Sequence, residues 1–471
     1  MSARTLQATR HALAGRPAWL VGGAVRDELL GRPTEDLDVV LDGDIERAAR
    51  TIARAAAPAA AFPLSEEFGA WRVVSRDGAW QVDLEPLHGA SIEDDLALRD
   101  LTINAIAQPL AGGAPIDPLN GIDDLARRVL RAAGANAFAA DPLRVLRLVR
   151  LACELEMQVE PATFEQARAA AGGLAAVSPE RIFVELRRII ASDHAVEGLR
   201  MLERLGAESA VLPELAQLRG VEQSRFHHLD VYEHTLAVID AVIDLDRGRA
   251  ELAERFPAAG DAAVRALMAE PLADSMTRGE ALRWGALLHD IAKPQTAGEA
   301  VPGRVTFMGH DERGAEMSRR MLTRLRASER TRGHVAALVR HHLRLGFLVH
   351  EPQPLSRRTV YRYLHAVTPV EADVTLLTVC DRLATRGENA EAAIDAHLEL
   401  AGVMLDEALR WRAAGPPRPP LRGDELVLEL GIEPGPAVGR LLELLVEADW
   451  AGEIRDREQA VMLARTMLAT L

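Results

Sequence analysis

Hydrophobic and polar positions change period several times along this chain, and each change marks a different kind of element. WLVGG, from residue 19, is a short apolar strand ending in a glycine turn, AVRDELLG has the spacing of a short helix closed by Gly31, and DLDVVLD alternates with the period of a strand. WRVVSRDGAWQVDLEPL reads as a hairpin turned at Arg76-Asp77-Gly78. These segments predict a mixed α/β N-terminal head over residues 1–135, a small mixed sheet with helices on it. From Asp141 onward the period is helical, so the rest is expected to be mostly all-α.

Within the helical part, Ser178-Pro179-Glu180 opens one helix as N-cap, first-turn proline and first-turn acid. A helical neck is expected over 136–220, and a further helical domain over 221–412 that holds most of the histidines. AAGPPRPPLRGDE, residues 413–425, is a linker or rigid turn. A tail over 413–471 then contains two helices joined at Pro434-Gly435-Pro436. Several domains are expected in any case, because single cores stop growing at roughly 250–300 residues and the chain has 471.

Composition supports the helical reading: 48% hydrophobic residues with only 4% aromatic means a core of Ala, Leu and Val. Cys153 and Cys380 lie far apart in apolar stretches and read as reduced, buried thiols of a cytoplasmic protein. No N-terminal run has the pattern of a signal peptide, and no stretch approaches the ~20 apolar residues that span a bilayer. A net charge of -15 argues against non-specific coating of nucleic acid. A local basic face is expected from Arg127, Arg128, Arg131, Arg144, Arg147 and Arg150, followed by Arg181, Arg187 and Arg188; arginine is the default cation here, and Lys293 is the only lysine.

Transfer of a nucleotide from a triphosphate needs metal ions on fixed carboxylates. Residues i and i+2 of a strand face one side, so Asp36 and Asp38 point together, and Asp83 on a neighbouring strand offers a third ligand. Gly22 and Gly23 can bring backbone N–H groups against a triphosphate, with the start of the following helix and Arg26 adding positive charge. Alone, a DxD pair is usually a solvated turn and GG a mere turn. The order GG, RD, DxD across strand, helix and strand is far more specific, and it resembles the first motif of the class II tRNA nucleotidyltransferase and bacterial poly(A) polymerase family.

Further segments resemble that family's motifs in order. They are RDLTINAIA (99–107), IDPLNGIDDLARRVLR (116–131), DPLRVLRLVRLA (141–152) and SPERIFVELRRI (178–189). The resemblance implies a Mg²⁺-dependent enzyme acting on the tRNA 3′ end with CTP and ATP, with Arg99, Asp100 and Asn104 at the ribose and phosphates. Asp141 and Arg144, three apart and so expected on one helix face beside Arg147, would read the base: a carboxylate accepts from the exocyclic amine of C or A, and a guanidinium donates to the ring nitrogen. G and U present a ring N–H there and would set donor against donor. Without the other motifs the pair would read as a surface ion pair.

The sequence departs from the family pattern in three places. Ala140 stands where a glutamate usually precedes Asp141, and Leu98 where the second motif often has an arginine. Only EPLHGASI separates the strand around Asp83 from Glu93-Asp94-Asp95, where many relatives carry a longer loop associated with switching from C to A addition. CC-only addition is therefore an alternative to adding C and A.

A second ordered set comes from VYEHTL, ALLHDIAK, TFMGHDERGAE, LVRHHLRL and TVCDRLATRG. It resembles the HD phosphohydrolase superfamily, which implies a divalent transition metal such as Ni²⁺ or Mn²⁺ on His234, His289, Asp290 and Asp381. His310 with His341 or His342 would complete a second site, His341 being the first choice. His194, His227 and His334 read as ordinary packing or surface residues. Such a centre implies 2′,3′-cyclic phosphodiesterase or phosphatase activity; a metal-bearing tRNA-docking module is the bland alternative. GIEPGPAVGRLL, residues 431–442, resembles a hairpin that ends related enzymes. A poly(A) polymerase, a phosphohydrolase with a non-catalytic RNA-binding head, and a non-enzymatic role are the competing readings.

Overall fold

A computed structural model of the protein describes residues 3–34, 36–65, 69–223, 229–301, 304–385 and 390–469. It forms two compact units, residues 1–211 and 212–471. His227 lies outside the described residues.

The first unit is built on six strands: β1 (Ala18–Val21), β2 (Asp36–Leu41), β3 (Ala59–Ser65), β4 (Ala70–Ser75), β5 (Gln81–Pro86) and β6 (Ala107–Pro109). Their order is β3-β4-β5-β2-β1-β6, with β2 and β5 parallel and the other neighbours antiparallel. On β2, Leu37, Val39 and Leu41 are buried on one face, the period-2 pattern of a strand with a covered side. The helix Ile45–Ala55 packs on β3, β4 and β5, and its N-cap Asp44 accepts a hydrogen bond from the Arg47 amide at 2.9 Å. On the other face Val40 packs with Val21, Ile92, Leu96, Ala105 and Ala107. This second cluster covers the far end of β2 and leaves Asp36 and Asp38 at the start of the strand.

The helices Arg144–Leu155, Pro179–Ala191 and Ala195–Arg204 pack together. The approach is close: a Cβ on Gly198 would lie 2.8 Å from the Ile189 side chain and 2.9 Å from Cys153 Sγ. Arg150, buried between the first two helices, is held by Glu185 at 2.6 Å and Glu154 at 2.8 Å.

The second unit is helical, with Val231–Arg247, Arg278–Leu288, His310–Arg324, Glu329–His341, Glu371–Ala384 and Ala390–Ala414 as its main elements. Arg278 and Asp373 form a buried ion pair within it. The Pro-rich segment is irregular from Gly415 to Arg422, and the tail helices Gly423–Leu430, Pro436–Trp450 and Arg457–Leu468 enclose a small core around Leu426, Leu441, Leu445 and Ala464. Among the described residues no helix is long and apolar enough to cross a membrane. Cys153 and Cys380 are both free and buried.

Candidate functional site

In the head, the pairing register places Asp38 of β2 directly opposite Asp83 of β5, with Val21 opposite on β1. Gly22 follows Val21 with φ 66°, a conformation that favours glycine. A Cβ there would also lie 3.3 Å from both Asp38 Oδ2 and Arg99 Nη1. Burial, with Asp83 and Glu85 close by, pushes the Asp38 carboxyl up to about 6, against the opposing pull of Arg99 and Arg147. A cluster of oxygens with surplus negative charge is the donor set a hard divalent cation takes.

The residues expected at the nucleotide join in one chain of hydrogen bonds. Arg26, forked onto Asp27 at 2.9 and 3.0 Å, donates through Nη1 to Asn104 Oδ1 at 2.8 Å. Asn104 Nδ2 donates to Asp100 Oδ1 at 2.9 Å, and Arg147 Nε donates to Asp100 Oδ2 at 2.8 Å. Asp100 is buried, which alone would raise its carboxyl, yet Arg147, Asn104 and the Leu101 amide hold it far below the usual range. Arg99 pairs with Asp95 at 3.1 Å.

One expectation for this unit needs correction. Asp141 and Arg144 do not share a helix face: Asp141 is extended (φ -144°) and the helix begins at Arg144, because Pro142 disfavours helical backbone in the residue before it. Arg181 holds Asp141 Oδ2 at 2.7 Å, and the Leu143 amide donates to Oδ1 at 3.1 Å. Arg144 donates to the carbonyls of Leu98 (3.0 Å), Arg99 (3.2 Å) and Ala137 (3.0 Å), which hold it where Ala140 offers no carboxylate. Of the arginines expected on a basic face, Arg127, Arg131, Arg147, Arg150, Arg181 and Arg188 are each paired with a carboxylate, Arg150 being buried as well, whereas Arg128 and Arg144 donate to backbone carbonyls.

In the second unit, His234, His289 and Asp290 converge, as do Asp290, His310 and His342, each set with ligand atoms within 4.8 Å of one another. Asp381 borders the first set, 3.0 Å from His234 Nε2 and 3.9 Å from His289 Nε2. Nδ1 of His289, His310 and His342 lies 2.8, 2.7 and 2.6 Å from the carbonyls of Ala286, Phe307 and Val339. Donation to those carbonyls leaves the Nε2 lone pairs aimed inward. The Nε2 atoms of His310 and His342 face each other at 3.3 Å, an arrangement that suits a cation between them. Burial lowers His342 to about 4, so it is neutral and able to ligate at pH 7. His341 stands outside both sets, its Nδ1 accepting from Arg344 Nε at 3.0 Å, so the second set takes its neighbour instead.

Models of three families match the chain: the poly A polymerase head domain over residues 18–131, the probable RNA and SrmB-binding site of polymerase A over 156–218, and the HD domain over 264–386. The A-adding tRNA nucleotidyltransferase of Deinococcus radiodurans is 37% identical over 449 residues, 94% of each chain. The chain belongs to the tRNA nucleotidyltransferase family. The CC-adding tRNA nucleotidyltransferase of Thermus thermophilus is 36% identical over 94% of this chain and 92% of its own. Among solved structures, the Bacillus stearothermophilus CCA-adding enzyme in complex with CTP shares the fold, with a TM-score of 0.63 at 21% identity over 100% of this chain and 99% of that one.

Two residues of this nucleotidyltransferase were missed by sequence reasoning. Arg72 of β4 forks onto Asp83, Nε to Oδ1 and Nη2 to Oδ2, both at 2.7 Å. Alternation along WRVV could have placed Arg72 on the Asp83 face, but not named its partner. Lys293 is buried, with Nζ 2.6 Å from Asp290 Oδ2 and from Gln223 Oε1. Its signal was present: the one lysine of an arginine-rich chain stands three residues after His-Asp.

Proposed function

We propose that this enzyme adds C and A residues from CTP and ATP to the 3′ end of tRNA without a nucleic-acid template. We also propose that its HD domain hydrolyses phosphate esters of the 2′,3′-cyclic or monoester type. The observation that carries the first claim is the head constellation: Asp36 and Asp38 at the start of β2, Asp83 beside them, and Gly22 against Asp38.

Asp36 and Asp38 would hold Mg²⁺, with Asp83 in support; bound there, Mg²⁺ activates the terminal hydroxyl and offsets charge on the leaving pyrophosphate. The backbone at Gly22 and Gly23 and the Arg99 guanidinium bind the triphosphate. Arg26, Asn104, Asp100 and Arg147 keep those segments in register, so in this reading Asp100 orients other groups. Arg144 spends three of its five N–H donors on carbonyls and keeps two for a ring nitrogen and its neighbour. Asp141, anchored by Arg181, accepts from the exocyclic amine of C or A. In the HD domain His234, His289, Asp290 and Asp381 would hold one transition metal, and Asp290, His310 and His342 a second; such a centre lowers the pKa of bound water. Lys293 holds Asp290 in place. The buried, reduced thiols suit the cytoplasm.

One observation favours a narrower reading, CC-only addition. Five residues, 87–91, join β5 to the helix Ile92–Ala97, which leaves no room for a long mobile loop. Purified protein offered tRNAs lacking one, two or three terminal nucleotides, with CTP and ATP separately and together, separates the readings. CMP added to tRNA lacking all three nucleotides together with AMP added to tRNA ending in CC supports the first, and a stop at CC with ATP present supports the second. Long A tails would indicate a poly(A) polymerase and overturn both.

A further inference from the structure

The sheet carries a cation beside the carboxylates of the head that nothing in the proposed chemistry uses. Arg72 of β4 is the register partner of Asp83 on β5, and Asp83 is the partner of Asp38 on β2. Directly opposed residues project to the same face about 5 Å apart, so the three side chains form one row across adjacent strands. The Arg72 fork takes one lone pair from each Asp83 oxygen at 2.7 Å. The pair is partly shielded, with 30% of the Arg72 side chain and 16% of the Asp83 side chain exposed. Arg72 also feels the charges of Asp36 and Asp38 in addition to that of Asp83.

We propose that Arg72 is a positioning residue that fixes the orientation of Asp83 and, as a permanent positive charge in the carboxylate row, weakens the hold of the head on its divalent cation. The proposal rests on the reading that Asp36 and Asp38 bind that cation. A planar two-point fork removes the rotational freedom of Asp83 and leaves only its outward lone pairs for a metal. A guanidinium does not lose its proton, so its charge opposes a divalent ion at every working pH. A loosely held ion exchanges readily, which suits an enzyme whose substrate and pyrophosphate product each arrive or leave with a cation bound.

The test is Mn²⁺ binding to the full-length protein followed by electron paramagnetic resonance. The D36N/D38N double variant measured alongside subtracts the HD sites. Removing a unit charge next to a divalent ion tightens its binding by about tenfold at low ionic strength. R72Q is therefore expected to bind Mn²⁺ at the head about tenfold more tightly than the unaltered protein. R72K, which keeps the charge but loses the fork, is expected to stay within about threefold. R72M preserves the apolar stem and gives the same tightening if Gln disturbs folding at this strand position. The Mg²⁺ concentration for half-maximal nucleotide addition should fall with R72Q by a similar factor. Unchanged or weaker Mn²⁺ binding in R72Q and R72M overturns the proposal, as does equal tightening in R72K. An unaltered protein that binds no more Mn²⁺ than D36N/D38N overturns the metal reading of the head as well.

Discussion

Replacing Asp100 with Asn tests whether one buried carboxylate ties the segment 100–104 to the helix Arg144–Leu155. Asp100 accepts from the Leu101 amide at 2.8 Å, from Asn104 Nδ2 at 2.9 Å and from Arg147 Nε at 2.8 Å. In D100N the oxygen can keep the first two bonds, but the new amide N–H₂ then faces Arg147 donor to donor. Breaking a fully buried pair costs about 3–5 kcal/mol. The Arg147 side chain is 39% exposed and regains water, which brings the expected loss to about 2 kcal/mol. In a unit of this size that is a drop of about 4–8 °C in its melting temperature.

The sign of the pH dependence follows from the depressed folded-state value of Asp100. Its contribution is present above the unfolded value of 3.8 and is lost as pH falls through the lower folded value. The D100N deficit should therefore be constant between about pH 6 and 8 and shrink in strong acid. Calorimetry of the full chain with D100N, R147Q and the double variant should give a coupling energy of about 1–2 kcal/mol. Simple additivity of the two single losses would refute the network.

Three further outcomes are expected. Gly22→Ala forces a side chain into a left-handed backbone and against Asp38 and Arg99, and should cost about 1–3 kcal/mol in stability and at least about tenfold in nucleotide addition; an active, stable G22A contradicts the fit of this turn. His342→Ala should remove bound metal from the HD domain by elemental analysis while His341→Ala retains it, and the reverse result would restore His341 as the ligand. In metal-free protein the Asp38 carboxyl, raised to about 6 from 3.8, gives stability that is present at low pH and lost as pH rises through about 6. Added Mg²⁺ relieves that loss, so its stabilisation of the head should be larger at pH 8 than at pH 5, and equal effects would argue against Asp38 as a ligand.

Much of this architecture was legible because periodicity and chemistry agree locally. The i, i+2 spacing of Asp36 and Asp38, the hairpin turn before Gln81 and the helix opened by Pro179 needed only neighbours a few residues away. β3 was not anticipated: AAAFPLS is weak in strand formers, and its Pro63 sits at a register shift on an edge strand. The Asp141–Arg144 geometry was misread because a helical i, i+3 rule was carried across Pro142. The Arg72–Asp83, Asp100–Arg147 and Asp141–Arg181 partners lie 11 to 47 residues apart in sequence, and only the assembled fold decides which of the many arginines meets which acid. At the HD centre the histidines could be named from the sequence. The choice of His342 over His341 depended on which ring turned inward from the end of the helix Glu329–His341.

The central claim is that the carboxylates of β2 add nucleotides to the tRNA 3′ end. The most direct measurement supplies radiolabelled CTP or ATP with Mg²⁺ to tRNAs ending before C, after C and after CC, and compares the unaltered protein with D36A/D38A. Label should enter at least one of these tRNAs at its 3′ end with the unaltered protein and none with the double variant. Incorporation that survives D36A/D38A, or its absence from every tRNA with the unaltered protein, would contradict the account.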